Sequence, residues 1–202
     1  MDFLGKDGGY FVKYSVESWV GDVGVESGYL LQIEGVVLSS DLTEDSGAIC
    51  GRMRAYVLMA NEMIDGGSFD RSVWDDNEEL DDISKLVYTD GGGWSDCAKE
   101  TWPDVDSMDV LVIEEIFIEK PHRKMGLGLA IADRAISIFG RGCGMVVISP
   151  WPTEVDNRGN EEEARVAHGK IGKYAQRLGF KMVIGTDLWA KSLEHEIERE
   201  SN

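Results

Sequence analysis

The chain has 202 residues, 43% of them hydrophobic, and carries 38 acidic against 20 basic side chains for a formal net charge of −18. That is enough apolar material for the core of a single domain, and the acidity makes nucleic acid an unlikely partner by simple repulsion. No stretch approaches the roughly 18 apolar residues of a membrane span, and the start, MDFLGKDGGY, lacks a basic segment followed by an apolar one, so neither a membrane partner nor a secretory leader is expected. Three separated cysteines (Cys50, Cys97, Cys143) suit a reduced, cytoplasmic protein, and His122, His168 and His195 have no metal-ligand spacing, so no metal is expected.

The first sixty residues read as strands. Tyr10, Val12, Tyr14 and Val16 alternate with Phe11, Lys13, Ser15 and Glu17; Leu31, Ile33, Gly35 and Val37 alternate in a second run; Met53, Ala55 and Val57 alternate with Arg52, Arg54 and Tyr56 in a third. Polar connections at 21–28 and 39–47 make this an antiparallel meander. Residues 66–109 differ. Ser68 is a candidate helix cap, and Val73, Asn77, Leu80, Ser84 and Val87 share a helical face that Gly91-Gly92-Gly93 closes. The remainder, to Asp109, reads as an irregular loop holding Trp94, Cys97 and Trp102. Acidic residues cluster at 75–82 and at 161–163. Such clusters serve solubility, or steer a cationic substrate.

Residues 110–150 carry most of the information: VLVIEEIFIEKPHRKMGLGLAIADRAISIFGRGCGMVVISP. An apolar strand leads into a charged turn at Glu119–His122. Gly126 and Gly128 then open an amphipathic helix, about 127–139, with Ile131, Ala135 and Ile138 at helical spacing, and a strand over 145–149 follows at once. Helix N-termini present unpaired amides and a positive dipole end, and glycine lets a ligand come close to them. With Arg123 and Lys124 alongside, this is a site suited to a diphosphate. A dinucleotide-binding fingerprint would need a third glycine where Ile131 stands. Further on, a helix over about 160–178 places Ala164, Ala167, Ile171, Tyr174 and Leu178 on one stripe and ends at Gly179. Strands over 182–184 and 188–193 and a charged, fraying tail (194–202) follow.

The pattern Arg123-x-x-Gly126-x-Gly128 resembles the acyl-CoA-binding signature of the GNAT N-acetyltransferase superfamily, and Tyr174-Ala-Gln-Arg-Leu-Gly-Phe180 resembles that family's second signature. The resemblance spans about 110–193 and is loose before that. It implies a single α/β (α+β) domain, with a mixed, mostly antiparallel sheet flanked by helices, here with an atypical N-terminal meander (1–60) and an inserted acidic helix (66–109). It implies acetyl-CoA as cofactor and an amine acceptor, small molecule or peptide, of cationic type if the acidic block steers it. A homodimer is compatible with it. A non-catalytic acyl-CoA-binding or protein-interaction module is the alternative. The resemblance also implies a strand that splays from its neighbour, so that amides at Ile116, Phe117 and Ile118 pair with the pantetheine arm, while Arg123, Lys124, Met125, Gly126, Leu127, Gly128 and Leu129 form the cradle.

Direct acyl transfer to an amine needs a group to take the ammonium proton. Glu114 and Glu115 interrupt an apolar strand. Strict alternation sends them to opposite faces, and it groups Glu115 with Ile113 and Phe117, which favours Glu115 as base. Otherwise one glutamate faces solvent and the other pairs with Arg52 or Arg54. Family members carry an acid tyrosine where Ala175 stands here. Tyr174, one step away, is therefore either a shifted acid or a core aromatic, and helical spacing favours the core.

Overall fold

Alternating apolar side chains bring the first four strands into a meander. The computed structural model describes residues 2–4, 9–18, 29–39, 48–67, 69–75, 77–148 and 172–193. Strands β1 (Asp2–Leu4), β2 (Tyr10–Ser18), β3 (Leu30–Ser39) and β4 (Ile49–Leu58) pair antiparallel in sequence order. β5 (Val110–Ile118) continues the sheet antiparallel to β4. Helix α4 (Leu127–Phe139) then crosses over to β6 (Met145–Ile148), which runs parallel to β5. β7 (Lys181–Met182) and β8 (Trp189–Ser192) close the far edge. The order is β1-β2-β3-β4-β5-β6-β8-β7, mixed and mostly antiparallel. These last strands are shorter than their sequence suggests, because Gly185 turns with φ 76° between them.

The expected helix between β4 and β5 is instead three short ones. α1 (Ala60–Asp65) follows β4 almost directly; a 3₁₀ turn at Arg71–Trp74 leads to α2 (Glu78–Val87), and α3 (Asp96–Thr101) follows. Ser68 lies outside the described residues. Asn77 is not on the helix face: it has an extended backbone, and its side chain caps α2. Ser95 caps α3 by accepting from the Ala98 amide at 3.3 Å, so the stretch expected to be irregular is ordered by one hydroxyl. Tyr88 stacks on Trp94 across a bridge that closes the glycine turn between α2 and α3.

The sheet buries both faces. On one, Met53, Ala55, Val57, Leu111 and Ile113 meet Leu127, Ile131 and Ala135 of α4 and Ala175 of the helical residues 172–177. On the other, Tyr56, Leu58, Val110 and Val112 meet Leu80, Ile83 and Val87 of α2, with Trp74 and Trp94. Two registers slip. Val37 pairs with Gly51 but Leu38 with Ile49, which leaves Cys50 extra on β4. Arg54 pairs with Glu115 but Ala55 with Ile113, which leaves Glu114 extra on β5. Each is a β-bulge, which bends a strand and re-aims its side chains.

Candidate active site

The bulge at Glu114 changes the parity of β5. Before it, Leu111 and Ile113 face α4; after it, Ile116 and Ile118 pack against that same cluster. Both Glu114 and Glu115 are thereby sent to the other face, where α2 lies. The expectation of opposite faces is corrected here, and so is the grouping of Glu115 with Ile113. A one-residue insertion defeats strict alternation, and nothing in the residue types announces it.

On that face the two carboxylates meet the polar edge of β4. Arg52 grips Glu115 with two donors, Nη2 to Oε1 at 2.9 Å and Nε to Oε2 at 3.3 Å. Arg54 Nη1 donates to Glu114 Oε2 at 3.1 Å, and the Tyr56 hydroxyl donates to the same oxygen at 3.4 Å. Asn77 Nδ2 reaches Tyr56 Oη at 3.3 Å and Glu114 Oε1 at 3.4 Å. The glutamate side chains are 12% (Glu114) and 10% (Glu115) exposed, against 43% for Arg54 and 58% for Arg52, so the acids are inside and the bases close over them. Burial is the main cause that pushes the Tyr56 phenol up to about 12, with the Glu114 charge adding to it; it remains a donor throughout the neutral range. The glutamate pairing that the sequence left as an alternative is thus present for both residues.

The pairing of β5 with β6 ends at Ile113↔Ile148 among the described residues. Beyond it, β5 is paired on the β4 side. The Glu119 amide donates to the Cys50 carbonyl at 2.8 Å, so main-chain alternation turns Phe117 toward β4 and Ile116 and Ile118 the other way. Of the three amides expected to serve a ligand, those of Ile116 and Ile118 point away from β4 and that of Phe117 is spent on the sheet. Arg123 Nε donates to the Ile118 carbonyl at 2.7 Å, and its guanidinium lies over the Phe117 ring at 5.6 Å. Arg123 therefore pins the turn to the strand end.

That turn leads to the residues expected to form the cradle. Lys124 and Gly126 both take left-handed backbone, φ 65° and 81°. Gly126 is the N-cap of α4, with no side-chain cap and no acidic residue in the first turn. The helical ladder begins with the Ala130 amide on the Gly126 carbonyl at 3.1 Å, so the amides of Leu127, Gly128 and Leu129 precede it. A Cβ on Gly126 would meet nothing within 4 Å, and one on Gly128 only Ile116 Cγ2 at 3.8 Å. The space over the first turn is therefore open and floored by β5, which fits a ligand that approaches the main chain. Leu127 is buried as the helix's first core contact, while Lys124 and Met125 are exposed. Tyr10 Oη links β2 to this loop, at 3.1 Å from His122 Nδ1 and donating to Met125 Sδ at 3.4 Å. From Lys120 through Ala132 the chain has no acidic residue, a local reversal of its overall charge.

No protein-family model matches the chain, and no curated protein sequence does. Among solved structures it is similar to Arabidopsis thaliana NAA60 in complex with acetyl-CoA, with a TM-score of 0.44 and 9% identity over 91% of this chain and 99% of that one. It is also similar to arylalkylamine N-acetyltransferase 2 from Aedes aegypti, with a TM-score of 0.37 and 13% identity over 73% of this chain and 57% of that one. At such scores neither likeness adds to the geometry.

Tyr174 is not a core residue. Its side chain is on the surface, 49% exposed, with the Arg177 guanidinium 5.7 Å from its ring. Helical residues 172–177 turn Gly172 and Ala175 inward instead, and a Cβ on Gly172 would come within 2.8 Å of Trp189 Cζ2, so the close contact of helix and β8 needs a glycine there. Gly179, with φ 85°, ends the segment as expected, its amide on Gln176 and that of Phe180 on Ala175. No contact among the described residues joins Tyr174 to the carboxylates or the cradle. Tyr56 and Asn77 were missed as site residues. The available signal was the β4 series Arg52, Arg54, Tyr56, three polar side chains on one face beside a strand carrying two glutamates. Residues 149–171, with most of the helix expected over 160–178, lie outside the described residues. Among the described residues, no group of three or more His, Cys, Asp or Glu is placed to hold a metal ion, and no helix is long and apolar enough to cross a membrane.

Proposed function

We propose that the chain is an acyl-CoA-dependent N-acyltransferase that passes an acetyl group from acetyl-CoA to an amine by direct attack in a ternary complex. One observation carries the reading. Strand β5 receives an extra carboxylate at Glu114, turns the main chain of Ile116 and Ile118 away from β4, and leads through the turn into the glycine N-terminus of α4. A carboxylate, main chain turned away from β4 and a glycine helix start thus follow one another from a single strand.

The amides of Leu127, Gly128 and Leu129, with Lys124, hold the diphosphate. Ile116 and Ile118 offer their main chain to the pantetheine amides. Acetyl-CoA, when bound, supplies an activated acyl thioester. Glu114 is the base in this reading, rather than Glu115. Both Glu115 oxygens are held by a guanidinium, whereas Glu114 Oε1 meets only the neutral amide of Asn77. That oxygen takes the proton of the attacking ammonium. Tyr174 is left without a part, so the departing thiol takes its proton from water.

A non-catalytic acyl-CoA-binding module is the second reading, favoured by the ion pairs that already hold both carboxylates. Thermal unfolding with added acetyl-CoA, followed by thiol release across a panel of primary amines, separates the two. Acetyl-CoA at a hundred times its Kd stabilises by about 2.7 kcal/mol if it binds the native state alone. Stabilisation with thiol release is the expected result, stabilisation without release selects the binding module, and no shift at millimolar acetyl-CoA removes both.

A further inference from the structure

We propose that Asn77 is a positioning residue, which uses one side-chain amide to fix the start of α2 and to aim the Glu114 carboxylate. The kinetic consequence rests on the acyltransferase reading; the structural one does not. Asn77 Oδ1 accepts from the Glu79 amide at 3.0 Å and from the Leu80 amide at 3.2 Å. Those two bonds decide which end of the amide is oxygen, an assignment a lone asparagine leaves open. Nδ2 must then point away from the helix, and there it meets Tyr56 Oη and Glu114 Oε1.

Capping alone does not call for asparagine, since serine and aspartate cap about as well. What asparagine adds is a pair of donors on the same planar group as the capping oxygen. Glu114 needs such a partner. As the extra residue of a bulge it has no opposite number on β4, so its direction is set by side-chain contacts. Arg54 and Tyr56 hold Oε2 from within the sheet; Asn77 holds Oε1 from outside it. The acidic helix and the bulge are thus joined through a single residue, and a displacement of α2 is felt at the oxygen that receives the proton.

The test uses Asn77→Ser and Asn77→Asp in the full chain. Both keep a capping oxygen and remove the amide donors that reach Tyr56 and Glu114. The spectroscopic arm follows the carboxyl-carbon resonance of Glu114 in ¹³C-labelled protein at a fixed neutral pH, assigned by its loss in Glu114→Gln. The expected result is a moved resonance in both variants with the unfolding temperature within a few degrees of wild type. The kinetic arm measures thiol release with acetyl-CoA and primary amines. It should show kcat reduced by about tenfold in each, with the KM for acetyl-CoA unchanged; tenfold corresponds to about 1.4 kcal/mol. An unmoved Glu114 resonance in either folded variant makes Asn77 a cap and nothing more, and overturns the proposal, as does wild-type kcat in an enzyme that turns over. If Asn77→Ser fails to fold, Asn77→Thr, which also caps through a hydroxyl and adds no charge beside Glu114, decides in its place. A moved resonance in a protein that releases no thiol from any amine sustains the role of Asn77 and removes the acyltransferase reading instead.

Discussion

At the start of α4 the site is made of main chain: left-handed turns at Lys124 and Gly126 and three helix amides without partners in their own helix. At the β5 bulge it is made of side chains from three elements, Arg52, Arg54 and Tyr56 from β4, the two glutamates from β5, and Asn77 from the cap of α2. The first kind of site tolerates most replacements of side chains and is broken by anything that moves the backbone or fills the glycine space. The second kind is broken by single polar atoms. Substitution should therefore divide binding from turnover cleanly.

The largest effect is expected at the bulge. Glu114→Gln should lower kcat by about 10²- to 10⁴-fold, the usual contribution of general acid–base catalysis, and leave the Kd for acetyl-CoA near wild type by calorimetry. Glu115→Gln should cost about tenfold or less in kcat and less than about 1 kcal/mol of stability, because it releases Arg52, more than half of which already faces solvent. Reversal of that order would return the base to Glu115. At the cradle, Gly126→Asp should weaken acetyl-CoA by about a hundredfold, by placing a negative charge at the anion site on left-handed backbone that aspartate and asparagine both enter. Gly126→Asn, which tolerates that backbone and carries no charge, should lose much less; equal losses would mean that bulk, not charge, decides.

A smaller effect separates the regions by pH. An unfolded tyrosine ionises near pH 10 and Tyr56 in the native chain near 12, so the native state keeps a proton that the unfolded state has lost. That stability is complete below pH 10 and lost as the pH rises through about 12. Burial pushes the Cys143 thiol to about 12 as well, which adds a decline that begins near pH 9. Denaturant unfolding at stepped pH should show a shallower fall above pH 10 in Tyr56→Phe, and the wild-type slope in Gly126→Asn. The smallest effect concerns the acidic helix. Asp75→Lys with Asp82→Lys, both exposed and outside the first turn of α2, should raise the KM of a cationic amine several-fold at low salt and hardly at all above physiological ionic strength, where the screening length is about 8 Å. A KM indifferent to both changes would leave the block as a solvated surface.

The same contrast decides what could be read beforehand. The glycine start of α4 was legible because a left-handed turn needs glycine at Gly126, and a helix start needs its apolar spacing at Leu127, Ile131 and Ala135; both demands are written in residue types. Strands β2 to β4 were legible from alternation and β5 from its apolar run. The bulge was not, since an extra residue shows only against its partner strand, and the pattern Ile113-Glu114-Glu115-Ile116 is compatible with either register. The acidic stretch deceived for a related reason. Asn77 carries a helical phase and a capping side chain at once, and the backbone at Asn77 chose the cap. Tyr174 fits its stripe in phase but lost the inward place to Gly172, which lies against Trp189, and to the buried Ala175.

One residue of β5 is surplus to the architecture. With Glu114 deleted, Ile113, Glu115 and Ile116 would alternate regularly: the side chains facing α4 would keep their face, the β4 ladder would close without interruption, and both ends of the strand would stay where β6 and α4 hold them. The shortened chain should fold at least as well as the full one and be inert. Here the separation of foldability from activity falls on a single codon.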